Sequence, residues 1–244
     1  MSEESIYNQL KELLAKAGGA YRIMEEQIDV DLQVEFFEMA NKLLKQATDG
    51  EILLKQTNKL FDKTTSVEDK KRMLVQLSNA EKPDAYRIIQ QFIEEGDSEL
   101  RPWAVLSLQH SRITLETHLL DENQVFISTG LGGDNSRLRY FIAIRAKYGK
   151  TIKECQRTIV HNEFEPVFKK NKSAIEEFSF YEKYFTIKCL IPIDVAVNDV
   201  VLVSIAEANQ YGNFLSKDYL VTNVKILNQN EIENFFNKKS RIKP

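Results

Sequence analysis

Cysteine and histidine, the residues that most often build disulfide frameworks and metal sites, are scarce in this sequence. The 244 residues include 2 cysteines and 3 histidines, and neither a Cys-x-x-Cys pair nor a His-Glu-x-x-His motif is present. Cys155 and Cys189 each stand in an apolar pattern, which predicts two buried free thiols in a reducing compartment. We therefore predict no metal and no cofactor.

Long apolar runs and an excess of positive charge are also missing. No run approaches the roughly 20 apolar residues of a membrane span, and the N-terminus lacks the apolar core of a signal peptide. These absences predict a cytoplasmic protein without a membrane partner. The 33 basic and 36 acidic residues give a net charge of -3. Proteins that bind nucleic-acid phosphates without sequence preference usually carry a sustained positive field, so this charge predicts that nucleic acid is not a partner.

The chain has few glycines, and one cluster of them follows a predicted strand. The loop Gly130–Asp134 leads into another strand, whereas a nucleotide-binding loop enters a helix, so the pattern favours a wide hairpin turn. Anion binding is the alternative, with Arg137 and Arg139 as the anion ligands. No Gly-x-Ser-x-Gly or Walker motif is present, and we predict no catalytic residue.

Helical periodicity fills the first part of the chain, from Ser5 to about Gln109, in six segments. The length of 244 residues exceeds the usual single-core size of roughly 100 to 150 residues, so two domains are expected. We predict a helical domain over residues 1–112 and an α+β domain over residues 113–244. Gly96 is predicted to end one helix in the left-handed conformation.

Part of the helical region, roughly residues 66–109, resembles HEAT repeats. The resemblance rests on the order of residues in the second-helix motif of that family: Asp97, Leu100, Arg101, Ala104 and Leu108. It implies stacked helical hairpins, with Arg101 and Asp97 in the structural role of the family's Arg–acid pair. Trp103 is predicted to face a domain junction or a partner, and Trp103 and Arg101 are the candidate partner-binding residues.

After His110 the period becomes alternating, which predicts a mainly antiparallel sheet. Gln124–Thr129 and Leu138–Arg145 are predicted to form a hairpin, followed by a helix from Thr151 that Pro166 kinks or ends. A second strand pair follows, Ile175–Tyr181 with Tyr184–Ile191. For Val195–Gln210, helical signals compete with β-branched residues that favour a strand. The repeated order suggests a duplicated β-β-α unit.

Aromatic residues are dense around the second strand pair, where five fall within eight positions: Phe178, Phe180, Tyr181, Tyr184 and Phe185. They exceed what one face of a sheet buries by alternation. Some of the rings therefore pack in a core or domain interface, or else line a ligand groove, for which Tyr181 and Tyr184 are the candidate residues.

Three functions remain open at this point. The preferred one is a non-enzymatic adaptor that binds another protein through its helical face, with a homodimer through the sheet domain as a further option. The alternative is a small-ligand sensor with an aromatic groove in the sheet. The third is an enzyme at the domain boundary that uses Glu116, His118 and Arg139.

Overall fold

A computed structural model describes residues 21–45, 50–120, 125–134 and 136–242. The chain divides into two compact units: a helical unit with Ile28–Phe126, and a sheet unit with Ile23–Gln27 and the chain from Ile127 onward. The first predicted helix lies outside the described residues. The predicted boundary at residues 112 and 113 falls inside a continuous helix, Arg101–Leu120.

Consecutive helices build the helical unit, with a 3-10 turn at Ser98–Leu100. In chain order they are α1 Val30–Leu44, α2 Gly50–Lys55, α3 Asn58–Phe61, α4 Val67–Asn79, α5 Pro83–Glu95 and α6 Arg101–Leu120. Helix α4 begins after Ser66, whose hydroxyl accepts a hydrogen bond from the backbone N–H of Asp69 at 3.1 Å. The α5–α6 hairpin is present, whereas the HEAT resemblance stays a prediction.

Gly96 ends α5 without the left-handed conformation that the sequence suggested. Its φ is -87° and its backbone is extended. A glycine is required here for a different reason, since a Cβ would lie 2.5 Å from a ring carbon of Phe92. The backbone at Gly96 thus passes directly against the fully buried Phe92 ring of the same helix.

The main sheet is antiparallel throughout and has five strands in the described residues. They are β3 Gly133–Asp134, β4 Arg137–Ala146, β5 Ala174–Phe180, β6 Tyr184–Pro192 and β7 Leu215–Thr222. The order across the sheet is β7–β4–β6–β5, and the short β3 also pairs with β4. Strands β1 Tyr21–Ile23 and β2 Val125–Ile127 form a separate two-stranded sheet.

Helices α7 Glu154–Lys170 and α8 Val197–Asn209 connect the strands, and α9 Gln229–Ile242 follows β7. The chain thus runs strand–helix–strand twice, as β4–α7–β5 and β6–α8–β7. This order, with the strand order above, is the ferredoxin-like arrangement. The α+β class is therefore confirmed, and the repeated unit is β-α-β rather than the suggested β-β-α.

The predicted hairpin of Gln124–Thr129 with Leu138–Arg145 is wrong. Strand β4 lies in the interior of the sheet, where β6 and β7 occupy its two edges over most of its length, so β2 pairs with β1 instead. Alternation alone identifies a strand but does not identify its partner.

Burial decides two local conflicts in favour of helix. Val197–Asn209 is helical despite its β-branched residues, since Val200, Val201 and Ile205 are fully buried. Helix α7 continues past Pro166 to Lys170, because burial of Phe164 and Phe168 on either side offsets the one lost hydrogen bond.

Both cysteines were predicted to be buried. Cys189 is buried, but Cys155 is exposed.

The sheet has two differently covered faces, and the aromatic residues divide between them. Phe185 is in the core that α7 and α8 form on one face, against which Phe178 and Phe180 also pack. Tyr184 belongs to a smaller cluster on the opposite face, with Ile232 and Phe236 of α9. Successive residues of a strand point to opposite faces, which places Tyr184 and Phe185 in different environments.

Within the described residues, no helix is long and apolar enough to cross a membrane. The cytoplasmic location remains a prediction.

We predict that His110 of α6 makes the stability of the helical unit depend on pH. Burial lowers the pKa of His110, against a smaller opposing effect of its contact with the Ser78 carbonyl. The unfolded chain therefore binds more protons between the ordinary pKa of about 6.5 and the lower folded pKa. Stability is full above that window and falls as the pH drops through it.

We expect His110→Asn to weaken this dependence, because asparagine retains a donor near the Ser78 carbonyl but does not titrate. Thermal unfolding of both proteins, followed at neutral and at mildly acidic pH, measures the effect. An equal loss of stability on acidification in both proteins would exclude His110 as the cause.

Candidate functional site

The two arginines predicted as anion ligands are both engaged with carboxylates of the protein. Arg137 forms a two-point contact with Asp134. Arg139 donates from Nε and Nη2 to the two oxygens of Glu176, at 2.8 and 2.9 Å. Its hydrogen bonds raise the pKa of Arg139 and lower the pKa of Glu176, as expected for a tight ion pair. Both arginines therefore have structural partners, and anion binding by them stays a prediction.

The glycine loop itself is anchored by close backbone contacts. The backbone N–H of Leu131 donates to the Asn223 carbonyl at 3.0 Å. A Cβ on Gly130 would lie 1.7 Å from the Val224 carbonyl oxygen. Gly132 has a φ of +67°, and a Cβ on it would lie 2.5 Å from the Glu25 carbonyl oxygen. These glycines permit backbone segments to pass close to one another.

We predict that Gly130→Ala destabilises the protein by roughly 1 to 3 kcal/mol, the range for forced overpacking. Gly149→Ala is the comparison variant. Gly149, unlike Gly130, has a positive φ, of +63°, but no atom lies within 4 Å of its added Cβ, so only backbone strain of about 1 kcal/mol is expected there. Denaturant unfolding of the two variants compares these costs, and a Gly130 variant no less stable than the comparison variant would contradict the close packing.

Trp103 does not face a partner. Its side chain is 1% exposed, its Nε1 donates to the Lys71 carbonyl at 3.1 Å, and its ring packs edge-on against Phe36 at 5.3 Å. It is therefore part of the core of the helical unit. Arg101 lies exposed at the start of α6 and has an interaction of its own within the protein.

The three residues of the proposed boundary enzyme have separate partners. Glu116 accepts a two-point contact from Arg22, at 2.7 and 2.8 Å, and a hydrogen bond from Arg112. The His118 ring is 3.2 Å from Glu81, and Arg139 is bound to Glu176 as described. Among the described residues, Glu116 and His118 thus have different partners.

The structure instead places the two candidate tyrosines at one pocket of the sheet unit. Tyr181 and Tyr184 stack with ring centroids 4.6 Å apart and planes inclined by 21°. The pocket has a volume of about 410 Å³. We call it the tyrosine pocket, and its lining residues come from the end of β4, the β5–β6 turn and one side of α9: Arg145, Ala146, Gly149, Tyr181, Glu182, Lys183, Tyr184, Gln229, Glu233, Phe236 and Asn237.

Tyr184 has an unusual environment for a phenol. The residue is 5% exposed, and its buried hydroxyl has no hydrogen-bond partner. Burial, with smaller effects of Tyr181 and Glu233, raises the pKa of Tyr184 and keeps its hydroxyl protonated as a donor at neutral pH. Tyr181, in contrast, is 40% exposed and presents its ring at the surface.

Arg145 contacts several of the elements that line the pocket. It lies directly opposite Tyr184 in the β4–β6 pairing. Its Nη2 donates to Asp218 Oδ2 of β7 at 3.2 Å, and its Nη1 donates to the Phe236 carbonyl of α9 at 3.3 Å. The guanidinium also lies 5.3 Å from the centre of the Phe236 ring. One side chain therefore joins a strand of the sheet interior, an outer strand and α9.

A cationic segment borders the pocket, and we call it the lysine loop (residues 147–153). It contains Lys147, Lys150 and Lys153 and no acidic residue. It is bound to the β5–β6 turn, since the Ile152 N–H donates to the Glu182 carbonyl at 2.8 Å. Tyr148, at φ 57°, is 91% exposed at the tip of this loop. Exposed tyrosines and lysines thus share one end of the sheet.

Among the described residues, no group of His, Cys, Asp and Glu side chains could hold a metal ion.

Two solved structures that match part of this chain are of transposases. A protein of Deinococcus radiodurans R1 named as a transposase matches 44% of this chain and 94% of its own chain, at 12% identity and a TM-score of 0.38. A REP-associated tyrosine transposase bound to a REP hairpin matches 43% of this chain and 68% of its own chain, at 5% identity and a TM-score of 0.33. No described protein family and no curated protein sequence matches.

These findings correct the predicted function. The non-enzymatic adaptor, protein binding as its activity and the exclusion of nucleic acid are wrong, because the matching structures are named as transposases and one of them holds a REP hairpin. The sensor alternative is set aside with them. The preference for a non-enzymatic chain is withdrawn as well. At these identities and TM-scores, the matches assign no reaction and no ligand to this chain.

Sequence reasoning found the two tyrosines but missed the residues around them. The sequence predicts Arg145 only as the end of the strand Leu138–Arg145, and it predicts no role for Glu233 or Phe236. One available signal was the density of cations without an acid in Arg145–Lys153. The contact of that segment with α9 depends on tertiary structure and leaves no local pattern.

Proposed function

We propose that the sheet unit binds single-stranded nucleic acid at the tyrosine pocket and the lysine loop. The observation that carries the proposal is the stack of Tyr181 on Tyr184 beside a segment rich in lysine. Proteins that bind single strands combine aromatic side chains, on which bases stack, with cations that follow the backbone phosphates.

The stacked pair suits an unpaired base. Tyr184 is buried and held between the sheet and α9, so it fixes the plane of the Tyr181 ring that lies against it. The exposed Tyr181 ring then offers a prepared surface for a base, and Tyr148 of the lysine loop offers a second exposed aromatic ring. Bases within a duplex are already stacked and paired, so this arrangement favours single strands.

The local charge also supports the proposal, although the whole chain is slightly acidic. Lys150, Lys153 and Lys183 are exposed at this end of the sheet. The carboxylate of Asp218 contacts Arg145 and Glu182 and Glu233 line the pocket, while the lysine loop contains no acid. Exposed charges beyond roughly 10 Å are largely screened at ordinary salt, so the local cations matter more to a bound strand than the net charge of -3.

Fluorescence anisotropy with labelled strands of about 20 nucleotides tests the proposal, because such strands are longer than the sites that typically bind single strands. Oligothymidylate, oligouridylate and a duplex of equal length form the three arms. We expect binding of the single strands in preference to the duplex. Tyr181→Ala should weaken binding roughly 5- to 150-fold, the equivalent of about 1–3 kcal/mol for one stacked base, whereas Tyr181→Phe keeps the ring and should bind nearly as the parent.

The charge contribution is measured by repeating the titration at several salt concentrations. Lys150→Ala/Lys153→Ala should flatten the slope of log K against log salt by up to about 1.4, from roughly 0.7 per lost phosphate contact. Lys59→Ala/Lys63→Ala removes the same charge from exposed positions of the helical unit and should leave the slope unchanged. Failure to bind any strand, or equal effects of the two double variants, would contradict the proposed site.

A further inference from the structure

A row of basic side chains continues beyond the lysine loop along α7. Lys153 ends the loop, and Arg157 and His161 follow it at intervals of four residues. Residues four apart on a helix lie on the same side of it, so these side chains form one line. Glu165 is the next member of the series and ends the line of basic groups.

This side of α7 packs against the outer strand β5. The Arg157 guanidinium lies 5.6 Å from the centre of the Phe180 ring. The centres of the His161 and Phe178 rings are 4.2 Å apart, and Phe178 and Phe180 stack on each other at 6.0 Å. Two aromatic rings of β5 thus hold two basic side chains of α7 in position.

The Arg157 side chain is available to an anion. It is 36% exposed, although its Nε is buried without a hydrogen-bond partner. Its Nη1 lies 3.5 Å from Oε2 of Glu154, whose side chain is 86% exposed. An exposed ion pair of this kind contributes little and is screened by salt, so a phosphate can replace the carboxylate.

The edge of the sheet separates this row from the tyrosine pocket. Phe180 packs on the core beneath α7 and α8, whereas the next residue, Tyr181, stacks on Tyr184 of the opposite face. Strand β5 is an outer strand of the described sheet. The lysine loop lies at the same end, because it leads from β4 to α7 and is bound to the β5–β6 turn.

We propose that a bound single strand continues from the tyrosine pocket over this edge of the sheet to α7, where Arg157 binds a backbone phosphate. The inference rests on the proposed function and extends its site from one face of the sheet to the other. The lysine loop supplies the cations between the two ends. Glu165 marks the far end, because a carboxylate repels phosphates.

Anisotropy titrations of Arg157 variants with oligothymidylate test the inference. Arg157→Gln should weaken binding about fivefold at about 0.1 M salt and flatten the slope of log K against log salt by roughly 0.7, the value for one phosphate contact. Arg157→Lys retains the charge and should keep most of the slope.

Lys169→Gln is the matched control. It removes the same charge from an exposed position of the same helix, on the far side of Glu165. Twelve residues separate it from Arg157, which is about 18 Å along a helix. The control should bind as tightly as the unaltered protein.

A second measurement uses the unaltered protein and does not depend on how a variant folds. Oligothymidylates of about 8 nucleotides, a typical size for such sites, carry photoreactive 4-thiothymidine at one position at a time. Mass spectrometry then identifies the crosslinked peptides. We expect crosslinks to residues 181–184 and also to residues 154–161.

Two results would each overturn the inference: an Arg157→Gln variant that binds as tightly as Lys169→Gln, or crosslinks to residues 181–184 without any to residues 154–161. Weakened binding by Tyr181→Ala in the same experiments would leave the proposed function intact. Absence of binding to every strand would overturn the proposed function together with the inference.

Discussion

The contacts of Arg145 join the elements of the sheet unit that line the tyrosine pocket. It stands opposite Tyr184 in the β4–β6 pairing and binds Asp218 of β7 and the Phe236 carbonyl of α9. A partly buried guanidinium retains its charge, so these acceptors satisfy donors that would otherwise lose their solvation. The same contacts join α9 to the sheet beside the tyrosine pocket, together with the apolar packing of Ile232 and Phe236.

The two faces of the sheet are covered to different extents. Helices α7 and α8 cover one face and bury Phe185, Ile187 and Cys189 in a continuous apolar core, where burial also raises the pKa of the Cys189 thiol. The other face is covered only in part by α9, and its cluster is smaller. Stability thus resides largely on the first face, while the second face has room for polar and aromatic groups that contact solvent. The ferredoxin-like arrangement itself names no function, because such folds support many unrelated activities.

Much of the local structure was predictable from the sequence, and the tertiary relations were less so. Alternation identified β4, β5 and β6. Strand pairing was not predictable in the same way, since alternation is equally compatible with several partners; β2 was therefore joined to the wrong strand. The excess of rings around Tyr181 and Tyr184 correctly indicated more than one environment, whereas Trp103 gave no sign of being buried. Arg145 and Glu233 converge from residues far apart in sequence, so only the fold brings them together.

The central claim is that the end of the sheet formed by the lysine loop and the β5–β6 turn is the surface that receives a nucleic-acid strand. Hydrogen–deuterium exchange of the whole protein, with and without saturating oligothymidylate, tests this claim directly. The account predicts slower amide exchange at residues 145–153, 181–184 and 229–237, and unchanged exchange in the helices of Ile28–Phe126. Protection confined to the helical unit, or an unchanged pattern at the tyrosine pocket while the strand is bound, would contradict it.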